Sequence, residues 1–289
     1  MSFRPDSPID LPDGRLACGL HHLQVCPTCC VDYTFLDEGR SDEDEAFSDE
    51  DGPVPDNRSN GGLITRVQLV NPRPKIGTGE VIFEKFIPPN RADSPSSLFP
   101  PGVGNERFIN RTDPTQFLIY TDGACLDNGR ENPRGGCAFF FKPPDPPTIS
   151  GHYDFRLENK GPTGEPHPQT SNRAELRTAI AVLRFASWTN EGFKTLVIAT
   201  DSEYVVEGAT NWVRGWLRRG WRTSAGAPVK NKDLWQVLLG EAERWSLRGL
   251  EVRFWHIPRE QNTVADLRAK EGATREDFDE FVDVRGMGV

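Results

Sequence analysis

The order of apolar and amphipathic segments after residue 116 is the feature that most restricts how this chain can fold. Three strand-like runs come first, beginning with Phe117–Cys125, and apolar residues at helical spacing follow within Ser171–Trp188. A fourth strand, two helical segments, a fifth strand and a last helix complete the order β-β-β-α-β-α-α-β-α. Hairpin-linked strands followed by alternating strands and helices predict an α/β domain with a five-stranded mixed sheet and helices on both faces.

Four acidic side chains fall at the ends of predicted strands or the starts of predicted helices: Asp122, Glu175, Asp201 and Asp266. Since ligands gather at strand ends in an α/β sheet, we expect these carboxylates to meet on one rim. Acids held so close raise each other's pKa, and hard divalent cations remove that cost. Each acid alone also has a structural alternative: Asp201 as a helix N-cap, Glu175 in a capping box with Asn172, Asp122 in an Asp-Gly turn, and Asp266 at a helix dipole.

The segments around the four acids resemble, in order, the four acidic motifs of type I ribonuclease H. They are YTDGAC at Tyr120–Cys125, NRAEL at Asn172–Leu176, TDSEYV at Thr200–Val205, and the N-x-x-x-D spacing of Asn262–Asp266. Residues 211–235, here called the handle, resemble the basic protrusion of bacterial and eukaryotic members. The resemblance covers about residues 117–272 and implies a ribonuclease H-like fold.

The resemblance further implies that Asp122, Glu175, Asp201 and Asp266 are the catalytic, metal-binding carboxylates. The implied activity is endonucleolytic hydrolysis of the RNA strand of an RNA–DNA hybrid with two Mg²⁺ ions, which Mn²⁺ can replace, leaving 5′-phosphate and 3′-hydroxyl ends. Three alternatives stay open. The fold could be a weak or inactive nucleic-acid-binding module, an interaction scaffold, or a nuclease that acts on other nucleic acids.

Basic residues and tryptophans alternate in the handle, and basic residues supply salt-dependent backbone affinity. The candidate substrate-binding residues there are Arg214, Trp216, Arg218, Arg219, Trp221, Lys230 and Asn231. The spacing of the tryptophans is also that of a core stripe, which is the reading we favour for them. By resemblance, Asn132, Ser171 and Asn172 contact the hybrid near its minor groove, where a 2′-hydroxyl identifies RNA. The loop Leu126–Asn132 is longer than is usual in the family.

A mobile histidine precedes the last acid by ten residues in the family, and His256 stands ten residues before Asp266. The family loop is rich in glycine, whereas this chain has FWHIPREQN at Phe254–Asn262. His256 is therefore a candidate for assisting catalysis, and Arg259 is the alternative for the same role.

The first 116 residues hold eight of the nine net negative charges. We divide the chain into a Cys/His-rich segment (1–36), an acidic disordered linker (37–60), short strands and a Pro-rich extended segment (61–116), a catalytic domain (117–275) and a C-terminal tail (276–289). Cys18, His21, Cys26 and Cys29 are candidate zinc ligands, with thiols that stay unligated as the alternative.

The sequence contains no apolar run of about 20 residues and no apolar stretch near its start typical of a secretory signal. We therefore expect an intracellular monomer, nuclear or cytoplasmic, without membrane contact. The protein partner of the acidic region stays undefined.

Overall fold

The computed structural model describes residues 9–10, 16–18, 21–26, 31–32, 67–70, 74–102, 106–143 and 151–286. The predicted acidic linker, 37–60, lies outside these ranges. Four two-residue strands near the N-terminus form the pairs β1–β2 and β3–β4; they are Ile9–Asp10, Leu16–Ala17, Val25–Cys26 and Val31–Asp32. Among the described residues, no helix combines the length and the apolar character needed to cross a membrane.

The other strands are β5 Val67–Val70, β6 Glu84–Lys85, β7 Phe108–Ile109, β8 Gln116–Leu126, β9 Arg134–Phe140, β10 His152–Arg156, β11 Thr195–Thr200, β12 Glu251–His256 and β13 Asp283–Gly286. The central sheet has the order β10-β9-β8-β11-β12-β6, and β7 pairs with the first half of β8. Strands β8 to β10 are antiparallel neighbours, whereas β8, β11, β12 and β6 run parallel. The five predicted strands therefore form a mixed sheet, as expected. Two short strands from residues 61–116, β6 and β7, extend this sheet to seven strands.

The helices are α1 Pro95–Leu98, α2 Ser171–Phe185, α3 Glu203–Glu207, α4 Val213–Arg218, α5 Lys232–Leu247 and α6 Thr263–Ala273. A π-helical turn, Gly208–Trp212, joins α3 to α4, and 3₁₀ turns lie at Trp188–Glu191 and Arg259–Gln261. Leu176, Ile180 and Leu183 of α2 are fully buried, as their helical spacing predicts. Helices α2 and α5 pack together, α2 lies on β8 and β9, and α6 contacts β8, β9 and β10.

Residues 86–99 help to build the core although their sequence resembles an extended coil. Phe86, Leu98 and Phe99 are buried with Leu118 and Trp255 in a cluster separate from the main one. The Phe86 and Trp255 ring centroids are 5.0 Å apart. Prolines interrupt this segment, so its apolar residues show neither strand nor helix periodicity, although they cover the sheet.

The C-terminal segment packs onto α2 as far as residue 286. Strand β13 pairs antiparallel with β5, and Arg184 of α2 binds Asp283 (Nε to Oδ1, 2.5 Å). Arg177 donates to the Val282 carbonyl (2.7 Å) and pairs with the buried Glu158 carboxylate (2.6 Å). The residues first interpreted as a tail therefore form an ordered part of the domain up to Gly286.

Candidate active site

Strand β8 and helix α2 approach each other closely because Gly123 has no side chain. A Cβ at Gly123 would overlap the backbone of Ala174 and Glu175. Asp122 precedes this glycine and lies within β8, which continues to Leu126. The prediction that Asp122 ends its strand is therefore wrong, since the backbone stays paired with β9 beyond it. The close approach brings Glu175 beside Asp122.

Three carboxylates converge at this point. One oxygen from each of Asp122, Glu175 and Asp201 lies within 4.8 Å of the others. Asp201 follows β11, which is the parallel neighbour of β8. Asn262 donates from Nδ2 to Asp201 Oδ1 (2.7 Å) and to the Thr121 carbonyl (3.0 Å). These bonds connect the start of α6 to two strands and hold Asp201 in place. Asn262 marked the fourth motif in the sequence, but its second partner on β8 could not be predicted.

The electrostatics of this cluster are those of a cation site. Burial raises the pKa of Asp122 well above its usual range, and Asp201 and Asp266 raise it further. Burial likewise raises the pKa of Glu175, with added repulsion from Asp122 and Asp201. Arg259 acts in the opposite direction on the pKa of both groups, and a hydrogen bond from Thr200 also lowers the pKa of Glu175. A set of carboxylate oxygens under this repulsion fits a hard divalent cation such as Mg²⁺ or Mn²⁺.

The structural alternatives fail for three of the four acids. Thr170 is the N-cap of α2 and accepts from Arg173 N, so Glu175 closes no capping box with Asn172. Ser202 is the N-cap of α3 and accepts from Val205 N, so Asp201 has no capping role. Asp122 lies in a strand instead of a turn. Only Asp266 keeps its alternative, since it lies in the first turn of α6.

Asp266 lies outside the three-carboxylate group and forms ion pairs with two basic side chains. Arg259 donates to its Oδ1 (3.0 Å), and Lys270 donates to its Oδ2 (2.7 Å). Arg259 Nε also lies 3.9 Å from Asp201 Oδ2. His256 ends β12 with an exposed side chain, and its Nε2 lies 3.2 Å from the Asp201 backbone carbonyl. Of the two candidates, Arg259 is therefore the one that contacts the acids directly.

The residue beside Ser171 is Asn128, which sequence reasoning did not single out. Asn128 is buried and donates from Nδ2 to Ser171 Oγ (3.1 Å), while its Oδ1 has no hydrogen-bond partner among the described residues. Asn132 is exposed, with a left-handed backbone (φ 56°). Asn172 is half-buried next to Ser171 in the first turn of α2. The long 126–132 loop contains two asparagines, Asn128 and Asn132, and its length does not show which one lies beside Ser171. The Asp-Asn-Gly sequence at 127–129, which is typical of a turn, was the signal that could have pointed to Asn128.

The basic candidates of the handle face solvent: Arg214, Arg218, Arg219 and Lys230 are all exposed. Trp216 is only 7% exposed and packs on Trp235, with ring centroids 5.3 Å apart. Its assignment to substrate binding is therefore corrected, because a core residue cannot stack on a base. Trp221 is half-buried against the core.

Asn231 belongs to an internal network between the handle and α2. Its Nδ2 donates to the Tyr204 hydroxyl (3.2 Å), and its Oδ1 accepts from buried Arg173 (3.3 Å). The side chain thus joins the end of the handle to the helix that bears Glu175, and a structural role accounts for its polar atoms.

The four candidate zinc ligands are only partly described. Cys18 is buried, and its Sγ lies 3.6 Å from His21 Nδ1. Cys26 ends β3, and Cys29 lies outside the described residues. A zinc ion at these four residues therefore stays a prediction.

The region that carries the acid cluster is similar to known proteins. The family model described as RNase H matches residues 114–274, more than half of the chain. Ribonuclease H1 of Homo sapiens is 36% identical over 160 residues, which are 54% of this chain and 49% of the human protein. Ribonuclease H of Treponema pallidum is 37% identical over 160 residues, 55% of this chain and 91% of that protein. The chain thus spans about half the length of the human relative. The solved structure of LC9-RNase H1 is 29% identical and covers 60% of this chain and 78% of that chain, with a TM-score of 0.39.

Proposed function

The chain belongs to the ribonuclease H family, and from that premise we propose that it is an endoribonuclease that hydrolyses the RNA strand of RNA–DNA hybrids. The observation that supports this most is the convergence of Asp122, Glu175 and Asp201 within 4.8 Å. Burial and mutual repulsion raise the pKa of Asp122 and Glu175, so the cluster is unfavourable without a cation. A protein that needed these acids only for stability would gain more from neutral side chains.

We infer that Asp122, Glu175 and Asp201 hold the catalytic metal, and that Asp266 joins them at a second ion. A divalent metal supplies positive charge at the scissile phosphate and a water of lowered pKa. The protein contributes orientation: Asn262 fixes Asp201, Thr200 Oγ1 donates to Glu175 Oε2 (3.4 Å), and strand pairing fixes Asp122.

Arg259 has two roles in this proposal. Its guanidinium partly neutralises Asp201 and Asp266 in the metal-free protein. After cleavage, the same group would be close enough to contact the phosphate of the product. Burial lowers the pKa of Arg259, but Asp201, Asp266 and Asp122 outweigh burial and raise it, so the side chain is a permanent cation. His256 faces solvent and contacts only a backbone carbonyl of the site in this arrangement. We therefore assign the assisting role to Arg259 before His256.

Two surfaces beside the acids fit the two strands of a hybrid. The first surface is formed by half-buried Asn172, next to the buried, hydrogen-bonded pair of Ser171 and Asn128. Amide and hydroxyl groups of this kind suit a 2′-hydroxyl and the minor-groove edges of bases. The exposed handle arginines suit phosphates, and affinity from such contacts falls with salt and is independent of sequence. RNA is then distinguished at the first surface, and the duplex is held at the second.

The test uses a labelled RNA–DNA hybrid beside matched RNA and DNA duplexes, with Mg²⁺, with Mn²⁺ and with EDTA. We expect wild type to cut only the RNA strand of the hybrid, to need the metal, and to leave 5′-phosphate ends. Asp122→Asn should lose cleavage and keep salt-sensitive hybrid binding. Binding by wild type without any cleavage would instead support a module that only binds nucleic acid.

A further inference from the structure

A segment outside the family match lies across the catalytic domain; we call residues 75–86 the brace. It crosses α5 where two glycines meet, since a Cβ on Gly77 or Gly240 would overlap the backbone of the other segment. The Gly77 N–H donates to the Gln236 carbonyl (2.8 Å). The brace therefore lies in backbone contact with α5.

A single carboxylate fixes this crossing. Glu243 of α5 accepts from Lys75 Nζ (2.7 Å), Thr78 N (2.6 Å) and Gly79 N (3.1 Å). Burial acts to raise the pKa of Glu243, but these donors together lower it to about 2. The ionised carboxylate thus organises the turn at Thr78–Gly79, and the brace leaves α5 in a defined direction.

That direction leads to the base of the handle. A Cβ on Gly79 would overlap the side chain of Leu217 in α4, between the two exposed residues Arg214 and Arg218. Seven residues before the handle arginines begin, Glu207 forms an ion pair with Lys85 of the brace. The brace therefore contacts the handle at Leu217 and the helix that leads into the handle at Glu207.

The contact with Glu207 falls where the helix is irregular. Glu207 ends α3, and the π-helical turn Gly208–Trp212 follows directly. Asn211 within this turn also donates to Glu207. A π turn holds one more residue than an α turn and changes the direction of every side chain after it. The directions of Arg214 and Arg218 thus depend on a turn that begins directly after Glu207, the residue that the brace holds.

We propose that the brace positions the handle for the hybrid: the Lys85–Glu207 pair and the Gly79–Leu217 contact set the direction in which the handle arginines meet the phosphates. The inference rests on the proposed function and adds a determinant from outside the catalytic core. Because the acid cluster is not touched, the brace governs hybrid affinity and KM, and kcat at saturating hybrid is independent of it.

The variant Glu207→Gln distinguishes positioning of the handle from a direct effect of the Glu207 charge on the hybrid. It breaks the ion pair and removes one negative charge next to a polyanion, so electrostatics alone predicts tighter hybrid binding. Positioning predicts the opposite sign, with Kd and KM raised about three- to fivefold and kcat unchanged. The matched control is Glu280→Gln, which makes the same charge change and breaks the exposed Lys160–Glu280 pair (2.7 Å) far along the chain. It should leave Kd and KM at the wild-type values.

Two further variants keep the inference testable if Glu207→Gln is poorly folded. Lys85→Met should reproduce its effect, and the exchange Lys85→Glu with Glu207→Lys should restore KM toward wild type. Kd is measured on full-length protein carrying Asp122→Asn, KM and kcat on the active enzyme, and folding by thermal unfolding.

The results of these measurements distinguish a failure of the inference from a failure of the proposed function. Tighter or unchanged binding by Glu207→Gln, or a loss confined to kcat, would overturn the inference while the nuclease function stands. No hybrid binding and no cleavage by wild type would overturn the proposed function and the inference with it. Raised KM in both single variants, restored in the exchange, establishes the brace as a positioning element.

Discussion

Asp122 is buried, Glu175 is half-buried, and their negative charges repel each other, so their cost to the folded state depends on pH and on metal. At a pH near the ordinary carboxyl pKa of about 4, each is largely protonated when folded and the repulsion is small. As pH rises toward their raised folded pKa, the unfolded chain ionises first and the folded state loses stability. A divalent cation at the site reverses this loss.

Asp122→Asn should therefore stabilise the metal-free protein while it abolishes cleavage. We expect the variant to unfold at a higher temperature than wild type in EDTA at pH 7, and the difference to shrink as pH falls toward about 4. Mg²⁺ should raise the unfolding temperature of wild type more than that of the variant. Thermal unfolding across pH, with and without metal, measures both effects, and a variant less stable than wild type in EDTA would contradict the repulsion.

Asn128 and Asn132 provide a matched pair for the substrate surface. Asn128→Ala removes the amide that binds Ser171 and the buried Oδ1, and we expect KM for the hybrid to rise about three- to tenfold. Asn132→Ala changes an exposed side chain in the same loop and should leave KM near wild type. Steady-state kinetics with one hybrid gives KM for both variants. A larger rise in KM for Asn132→Ala than for Asn128→Ala would show that Asn132 contacts the substrate instead.

Single residues differ in how far the sequence revealed them. Asp122, Glu175 and Asp201 were found because the sequence motifs around them identify them, although Asp122 lies inside its strand and not at its end. Asn128 was missed, because loop length alone does not say which of two asparagines turns inward. Trp216 was misassigned, since a core stripe and a stacking surface share the same spacing, and only the packing of Trp235 distinguishes them.

At the scale of elements, the distance between β8 and α2 controls the site. Gly123→Ala should force the two apart, because the new Cβ would overlap the α2 backbone instead of a movable side chain. We expect a loss of about 1–3 kcal/mol in the free energy of unfolding. A displacement of Glu175 by about 1 Å should also lower kcat about a hundredfold. Denaturant unfolding and single-turnover cleavage test the two effects, and a stable variant with full kcat would show that the close approach is not required.

The number of phosphate contacts made by the handle can be measured from the salt dependence of hybrid binding. Replacing Arg218 and Arg219 with alanine should reduce the slope of log affinity against log salt by about two, and weaken binding equally for hybrids of different sequence. Arg248→Ala removes an exposed arginine at the end of α5 and serves as control. Salt titrations of hybrid binding measure the slope. An unchanged slope in the double variant would place the phosphates elsewhere.

Elements were predictable in proportion to their length. Helix α2 was predicted because fifteen residues show a helical period, and β11 because its residues form a short, largely apolar run. Short strands were also predicted within residues 61–116 and β6 is one of them, whereas the two residues of β7 show no pattern. The π-helical turn at Gly208–Trp212 was not predicted either, because five residues are too few for their apolar spacing to distinguish a π turn from an α turn.

For the whole molecule, residues 84–99 pack on the same sheet that carries the acid cluster. Strand β6 extends the sheet at β12, and Phe86 and Phe99 pack with Trp255 against it. The sheet thus has apolar clusters on two faces, one of them closed by residues outside the family match. Residues 61–116 were predicted to hold short strands and a Pro-rich extended segment, and the sequence did not show that their apolar residues pack on the sheet.

Phe99→Ala tests whether this outer segment shares one cooperative core with the catalytic domain. Phe99 is fully buried, 5.6 Å from Phe86 and 6.2 Å from Trp255 by ring centroids. Truncation should cost about 3–5 kcal/mol in the free energy of unfolding, with a single transition seen by both fluorescence and circular dichroism. Ile87→Ala removes a 73% exposed side chain from the same segment and should change stability by less than about 0.5 kcal/mol. If Phe99→Ala unfolded at the wild-type denaturant concentration, the segment would not be packed on the sheet, and the brace would lose the support from which it reaches the handle.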